Sequence, residues 1–273
     1  MAWKQNIIED FKQLVSFDSI SFHERKTADW LIERLQKMGF SVEEDDAGSH
    51  YGGDTGNLYA VLDGTLPGDP VIFCAHMDVV EPRSGKKSVL EKDGTIHSAG
   101  DTVLGADDIS GILEILYGVQ LVIDSGKPHK KIELLFTIGE ELYVKGSDVF
   151  DYSKVTAKQA YVLDLSEETT FNIGTIQGGT ATNIVPDCCV LTAYETPLES
   201  KSVTDFQKAC EILGFSGELT GTFGGSDNNS FAKNGIEGLV LSNGMYNAHS
   251  TREYTTVDDL YKGAELIGQL ILL

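Results

Sequence analysis

The chain reads as an α/β sandwich, and three observations predict it. Short apolar runs rich in β-forming residues alternate with amphipathic helical stretches. Those runs are almost continuously apolar, as strands are when helices cover both faces of their sheet. The alternation lapses once, between Thr169 and Tyr194, and then resumes, so the chain returns to its first sheet after an excursion.

Two helices open the chain. Ile7, Ile8, Phe11, Leu14 and Val15 recur at helical spacing, and Ala28, Leu31, Ile32, Leu35 and Met38 repeat it before Gly39, a residue suited to end a helix. Buried strands are predicted at Asn57–Leu62, Val71–Ala75, Ile132–Ile138 and Ala160–Leu163. Between the second and third of these lie a hairpin around Lys92–Thr95 and a helix from about Ile109 to Val122. The Thr-, Gly- and Asn-rich stretch that follows has no helical period and predicts an antiparallel hairpin of two extended segments, Phe171–Ile176 and Thr182–Thr192. A helix near Val203–Leu213, a strand near Glu218–Thr222, a turn at Gly224–Asp227, a strand at Gly238–Leu241 and a helix from Val257 to Leu272 complete the reading.

Composition narrows the function. With 273 residues, 41% hydrophobic and 23% charged, the chain is long enough for one or two packed domains. Acidic residues number 42 against 21 basic ones, a net charge of −21 that repels nucleic acid and anionic lipid. Neither a nucleic acid nor a membrane is an expected partner. Four cysteines, Cys74, Cys188, Cys189 and Cys210, form no CxxC pair and no disulfide framework, which points to a reducing, cytoplasmic setting. The start has no basic patch followed by an apolar run, and no stretch reaches the ~18 apolar residues of a membrane helix.

Chemistry concentrates where strands end. His76 and Asp78 follow an apolar run and, two residues apart, share one face of an extended segment, so Asp78 can orient the imidazole of His76. Asp107 and Asp108 open the next helix; one of them can serve as its N-cap, which leaves a spare carboxylate at the mouth of the sheet. Glu140 and Glu141 are adjacent acids at another strand end, a pairing that costs energy unless water or a cation neutralises it. Asp164 ends a further strand, and His249 lies in a loop before the last strand and helix. Two His and three carboxylates suit two divalent ions that share one carboxylate, with zinc the best match to mixed nitrogen and oxygen donors and cobalt or manganese as alternatives. The remaining histidines, His23, His50, His97 and His129, sit among polar or turn residues and are expected to be exposed. Cys188 and Cys189 are expected to divide between core and surface, and Ser226 and Asp227 to cap a helix or, with Gly224 and Gly225, to meet substrate.

These segments resemble, in order, a known family: the co-catalytic zinc exopeptidases and deacylases that include peptidase T-like tripeptidases, carboxypeptidase G and acetylornithine deacetylase. The residues that carry the resemblance are His76-Met-Asp78, Gly105-Ala-Asp-Asp108, Gly139-Glu-Glu141, Asp164, the stretch from Gly178 to Asp187, Gly224-Gly-Ser-Asp227 and His249. The tripeptidase branch looks nearest, and an Asp rather than a Glu at position 164 resembles the family's aminopeptidase and dipeptidase branches more than its carboxypeptidase or deacetylase branches. The resemblance implies a three-layer α/β/α sandwich with a mixed, mostly parallel sheet. It implies that Asp107 bridges two ions, that His76 and Asp164 complete one shell and Glu141 and His249 the other, and that Asp78 supports His76. Glu140 would be the general base in amide-bond hydrolysis, and Asn183, Gly224, Gly225 and Ser226 would meet the substrate. It also implies a cis peptide between Asp107 and Asp108.

The chain departs from the family in its lid. Relatives insert a second α/β domain between the positions matching Asp164 and Gly224, whereas here that interval is only 60 residues long and holds the predicted hairpin, one helix and the short strand after it. The expected organisation is therefore a first catalytic part at 1–165, a lid remnant at 166–200 and a second catalytic part at 201–273. Lids of this family supply an oxyanion-stabilising His and usually an Arg for a substrate carboxylate. No His lies between Asp164 and His249, and Thr196 stands roughly where the Arg would be. Four functions stay open: an aminopeptidase or tripeptidase acting on short peptides, an amidohydrolase acting on N-acyl amino acids, a metal-binding remnant without turnover, and a metal-free acidic binding module. The usual dimer surface, on the lid, is mostly missing as well.

Overall fold

The computed structural model describes residues 2–165, 177–178, 189–190, 196–220 and 225–273. In chain order the elements are α1 (Ala2–Val15), α2 (Arg25–Lys37), β1 (Ser41–Glu44), α3 (Ala47–Tyr51), β2 (Leu58–Leu62), β3 (Val71–His76), β4 (Ser88–Leu90), β5 (Thr95–Ser98) and α4 (Ala106–Ser125). There follow β6 (Ile132–Thr137), α5 (Lys145–Val149), β7 (Gln159–Leu165), β8 (Gln177–Gly178), β9 (Cys189–Val190), α6 (Lys201–Leu213), α7 (Asn228–Lys233), β10 (Glu237–Ser242), β11 (Tyr254–Thr256) and α8 (Val257–Ile271).

A six-stranded sheet in the order β1-β2-β6-β3-β7-β10 organises the molecule. β1 and β2 run antiparallel, and β2 is antiparallel to β6. From β6 through β3 and β7 to β10 every pairing is parallel, so four strands deliver their carboxyl ends to one edge. That edge is where an open α/β sheet offers a crevice. The period of two along β3 divides the core. Phe73 and Ala75 face one apolar cluster with α1, α4 and α8, while Ile72 and Cys74 face a second with Phe150, Ala157 and Phe231. The result is the expected three-layer sandwich with a mixed, mostly parallel sheet.

Helix α4 fills the layer beside the sheet. It is buried along most of its length, so its apolar residues are not confined to one stripe. Gly118 lets α8 lie close against it: a Cβ there would sit 2.6 Å from Cβ of Ile267. Gly126, at φ 62°, ends the helix in the left-handed conformation that glycine adopts freely.

Some elements differ from expectation. β1 was not foreseen because Ser41–Glu44 offers one apolar residue, Val42, on an exposed edge. Residues 218–220, the described part of the expected strand Glu218–Thr222, form no strand. Of the expected hairpin, Phe171–Ile176 lies outside the described residues, and the described pairs join antiparallel, Gln177 to Val190 and Gly178 to Cys189. Among the described residues, no helix is long and apolar enough to cross a membrane.

Candidate metal centre

The carboxyl end of β3 places His76 in the interior, 1% exposed. Its backbone N–H donates to Oδ2 of Asp108 at 3.0 Å, and its Nδ1 lies 3.0 Å from the carbonyl of Asp78. Donation from Nδ1 to that carbonyl fixes the ring so that Nε2 points into the site, 2.9 Å from Oδ1 of Asp107. Asp78 is fully buried. Its carboxylate accepts from Oγ of Ser21 at 2.6 Å, from N–H of Glu140 at 3.0 Å and from N–H of Glu141 at 3.2 Å, while Oδ1 stands 3.4 Å from Nδ1 of His76. One carboxylate thus ties the end of β3 to the turn after β6.

Asp107 lies between the two sequence-distant histidines. Its Oδ1 faces His76, and its Oδ2 is 3.0 Å from Nε2 of His249. The same nitrogen of His249 is 3.0 Å from Oε1 of Glu141. Ligand atoms of His76, Asp107 and Glu141 lie within 4.8 Å of one another, and so do those of His76, Glu140 and Asp164. All seven residues expected to act in catalysis or metal binding therefore converge on one end of the sheet.

One of the two acids caps the helix as expected: Asp108 precedes the regular part of α4, and its Oδ1 accepts from N–H of Gly111, three residues on, at 3.2 Å. At Asp107 (φ −83°, ψ 99°) and Asp108 (φ −122°, ψ 33°) the backbone leaves helical geometry and the peptide between them is cis, so the first turn behind its N-cap Gly105 is set off by a kink from the regular helix. Asp108 also accepts from the His76 backbone and from Nδ2 of Asn243 at 2.6 Å, which leaves Asp107 as the spare carboxylate.

The electrostatics of the centre favour a cation. Burial, and after it the neighbouring acids, raises the carboxyls of Glu140, Glu141 and Asp164 above the ordinary range. Burial acts the same way on Asp107, but hydrogen bonds to His249 and His76 overcome it and hold this carboxyl below that range. Hydrogen bonds to Asp107 and Glu141 push the His249 imidazole up to about 11. Crowded acids that hold protons on two imidazoles make a site of strongly negative potential.

The backbone here is strained. Among the described residues, five non-glycine residues have positive φ: Phe22, Tyr143, Val144, Asn247 and His249. All five lie around this centre, where such costs of about 1–3 kcal/mol each concentrate at functional sites. Phe22 packs under Gly139, and Tyr143 and Val144 follow the Glu140–Glu141 pair directly.

Of the expected substrate residues, Asn183 and Gly224 lie outside the described residues. Gly225 is exposed, and Ser226 is buried, with its Oγ accepting from N–H of Asn228 at 3.3 Å. Asp227 does not cap α7; it turns inward and accepts from Oγ1 of Thr137 at 2.5 Å and from Sγ of Cys74 at 3.6 Å. Thr196 donates to the carbonyl of Gly238. Expectation fails for His129, which is buried against Lys130 and the Thr65 turn. Cys188 and the side chain of Cys189 are outside the described residues.

Sequence reasoning missed Glu24, Asn243 and Glu253. Glu24 is buried, its Oε1 accepting from N–H of Phe22 at 2.8 Å and of Gly139 at 3.0 Å. Burial, then the charge of Asp78, lifts its carboxyl from the ordinary 4.5 to about 8. The native state then keeps a proton that the unfolded chain releases near 4.5, so stability is lost as pH rises from about 4.5 to about 8. Glu24→Gln, which keeps an acceptor oxygen, is expected to flatten this slope. In urea unfolding at pH 5 and pH 8, wild type should lose about 2–4 kcal/mol more than the variant. Equal slopes would contradict the assignment.

A model of the peptidase family M20/M25/M40 matches residues 72–273. The uncharacterized protein YqjE of Bacillus subtilis (strain 168) is 26% identical over 367 residues, covering 99% of each chain. That alignment is longer than this chain, so the relative carries residues without counterparts here. Peptidase T of Vibrio cholerae serotype O1 (strain M66-2) is 28% identical over 204 residues, covering 59% of this chain and 48% of that one. The match thus spans about half the length of that relative. The crystal structure of aminopeptidase PepT from Bacillus cereus ATCC 10987 superposes with TM-score 0.86 at 25% identity, covering 98% of both chains. A tripeptidase structure from Staphylococcus aureus subsp. aureus Mu50 shares the fold at TM-score 0.86 and 22% identity, covering 98% of this chain and 97% of that one.

Proposed function

The chain belongs to the peptidase family M20/M25/M40, and from that premise we propose that it is a two-metal aminopeptidase or tripeptidase that hydrolyses short peptides. One observation carries the reading: the two oxygens of Asp107 address two different histidines, His76 at 2.9 Å and His249 at 3.0 Å. A carboxylate placed in this way suits a bridge between two cations, with His76 and Asp164 on one side and Glu141 and His249 on the other. The donor set fits such ions: ligand atoms of His76, Asp107 and Glu141 lie within 4.8 Å of one another, as do those of His76 and Asp164, Nε2 of His249 is 3.0 Å from Asp107 and from Glu141, and the acids are crowded enough to need neutralising. When bound, two divalent ions, zinc before cobalt or manganese, would supply Lewis acidity toward the scissile carbonyl and lower the pKa of an attacking water.

The chain's own residues would do the rest. Glu140 is the general base in this reading: burial raises the proton affinity of its carboxyl, which suits a group that takes a proton from water and returns it to the leaving amine. Asp78 holds the backbone of Glu140 and Glu141 and the imidazole of His76 in one frame. Gly225 and Ser226, with Asn183 and Gly224, are proposed to meet the peptide. The segment 166–200 is proposed as the remnant of a lid between catalytic parts 1–165 and 201–273. A cytoplasmic setting agrees with the two described free thiols, Cys74 and Cys210, both buried.

The test is a substrate panel offered to zinc- or cobalt-loaded protein, with released amino acids identified by mass spectrometry. Release of the N-terminal residue from tripeptides is expected. Cleavage confined to N-acyl amino acids would support the amidohydrolase instead. Two bound ions with no cleavage of any substrate would support a metal-binding remnant, a reading favoured by the lack of any His between Asp164 and His249.

A further inference from the structure

We propose that Glu253 is the positioning residue of the bridging carboxylate, so that the segment His249–Glu253 holds Asp107 at both its side chain and its backbone. This inference rests on the two-metal reading above. Glu253 is 1% exposed. Its Oε2 accepts from N–H of Leu104 at 2.8 Å and of Gly105 at 2.7 Å, and its Oε1 accepts from N–H of Asp107 at 2.9 Å. These amides lead into the first turn of α4, where N–H groups have no partner within the helix. Gly105, at the N-cap, has no side chain to offer, so a carboxylate from a distant part of the chain satisfies them and adds a negative charge where the helix dipole favours one.

Four residues before Glu253, His249 reaches Oδ2 of Asp107 at 3.0 Å. The side chain of Asp107 is thereby held from one side and its N–H from the other, by a single short loop. The ends of that loop are fixed. Tyr246 and Tyr254 form an antiparallel bridge with stacked rings 4.6 Å apart, and β11, which begins right after Glu253, pairs with β5. Lys86 completes the arrangement. It is 2% exposed, its charge acts on that of Glu253, and its Nζ lies so close to Gly105 that a Cβ there would stand 2.8 Å away. A buried cation beside a buried carboxylate offsets part of the cost of burying either charge. Without the bonds to Glu253, the turn at Asp107 would be free to rotate and its oxygens would no longer face His76 and His249 together.

The experiment is a cobalt titration of chelator-stripped full-length protein, followed by calorimetry and by the visible absorption of bound cobalt. Wild type is expected to take up two ions. Glu253→Gln is expected to keep its far-UV circular dichroism and cooperative unfolding, but to bind the second ion about 10–100-fold more weakly with an altered cobalt spectrum. Arg252→Ala, at an exposed neighbour on the same loop, should leave both readouts unchanged. If Glu253→Gln does not fold, Glu253→Asp takes its place, because it keeps the charge and shortens the reach by one methylene. Two ions bound by the variant with wild-type affinity and an identical spectrum would overturn the positioning role alone. A wild-type protein that takes up no cobalt would overturn both this role and the two-metal reading.

Discussion

Asp107→Asn is expected to abolish the binding of both ions and to lower peptide turnover by about 10³-fold or more, while the chain still folds. The side chain of Asn has the shape of Asp but cannot present two anionic oxygens, and Asp107 uses one toward His76 and the other toward His249. The expected loss is large because bound ions would supply several kcal/mol of charge stabilisation to the transition state, and each 1.36 kcal/mol is tenfold in rate. Elemental analysis after gel filtration, beside turnover on a tripeptide, measures both effects. A variant that still carries two equivalents of metal would remove the bridging role from Asp107.

Glu140→Gln is the second large effect, and it separates two roles that the geometry places close together. As general base, Glu140 should cost about 10²–10⁴-fold in kcat when replaced, with metal content unchanged. Its ligand oxygen also lies within 4.8 Å of those of His76 and Asp164, so it stands near enough to be a ligand itself. Metal content decides between them. Two equivalents with lost turnover identify the proton carrier, whereas loss of one ion together with activity would make Glu140 a ligand and leave the base unassigned.

The parts of the fold and site that could be read from the sequence are those that leave a local signal. Apolar runs ending in His76, Asp164 and the Glu140–Glu141 pair announce strands whose carboxyl ends carry chemistry, and parallel pairing brings those ends together. The acids that escaped act on backbone amides far away in the chain. Glu253 binds amides near Leu104 and Glu24 binds that of Gly139, a task that Asp78 shares by binding those of Glu140 and Glu141. Among 42 acidic residues, a single acid with such a task looks like any surface carboxylate. Asp78 was found only because it stands two residues from His76. The division of labour between Asp107 and Asp108 was legible for the same reason, because composition at a helix start suggests one cap: Asp108 takes that role through Gly111, and Asp107 is left to face the two histidines. His129 was misjudged because its neighbours Pro128 and Lys130 are exposed or half-buried, while the turn at Thr65 binds its backbone and its Nδ1 lies 2.8 Å from the carbonyl of Lys130.

The central claim is that one carboxylate joins two cations at the end of the sheet. Crystals grown with zinc and measured on either side of its absorption edge test it most directly. Two anomalous peaks should flank Asp107, one beside His76 and Asp164 and the other beside Glu141 and His249. A single peak, or none within reach of Asp107, would contradict the account.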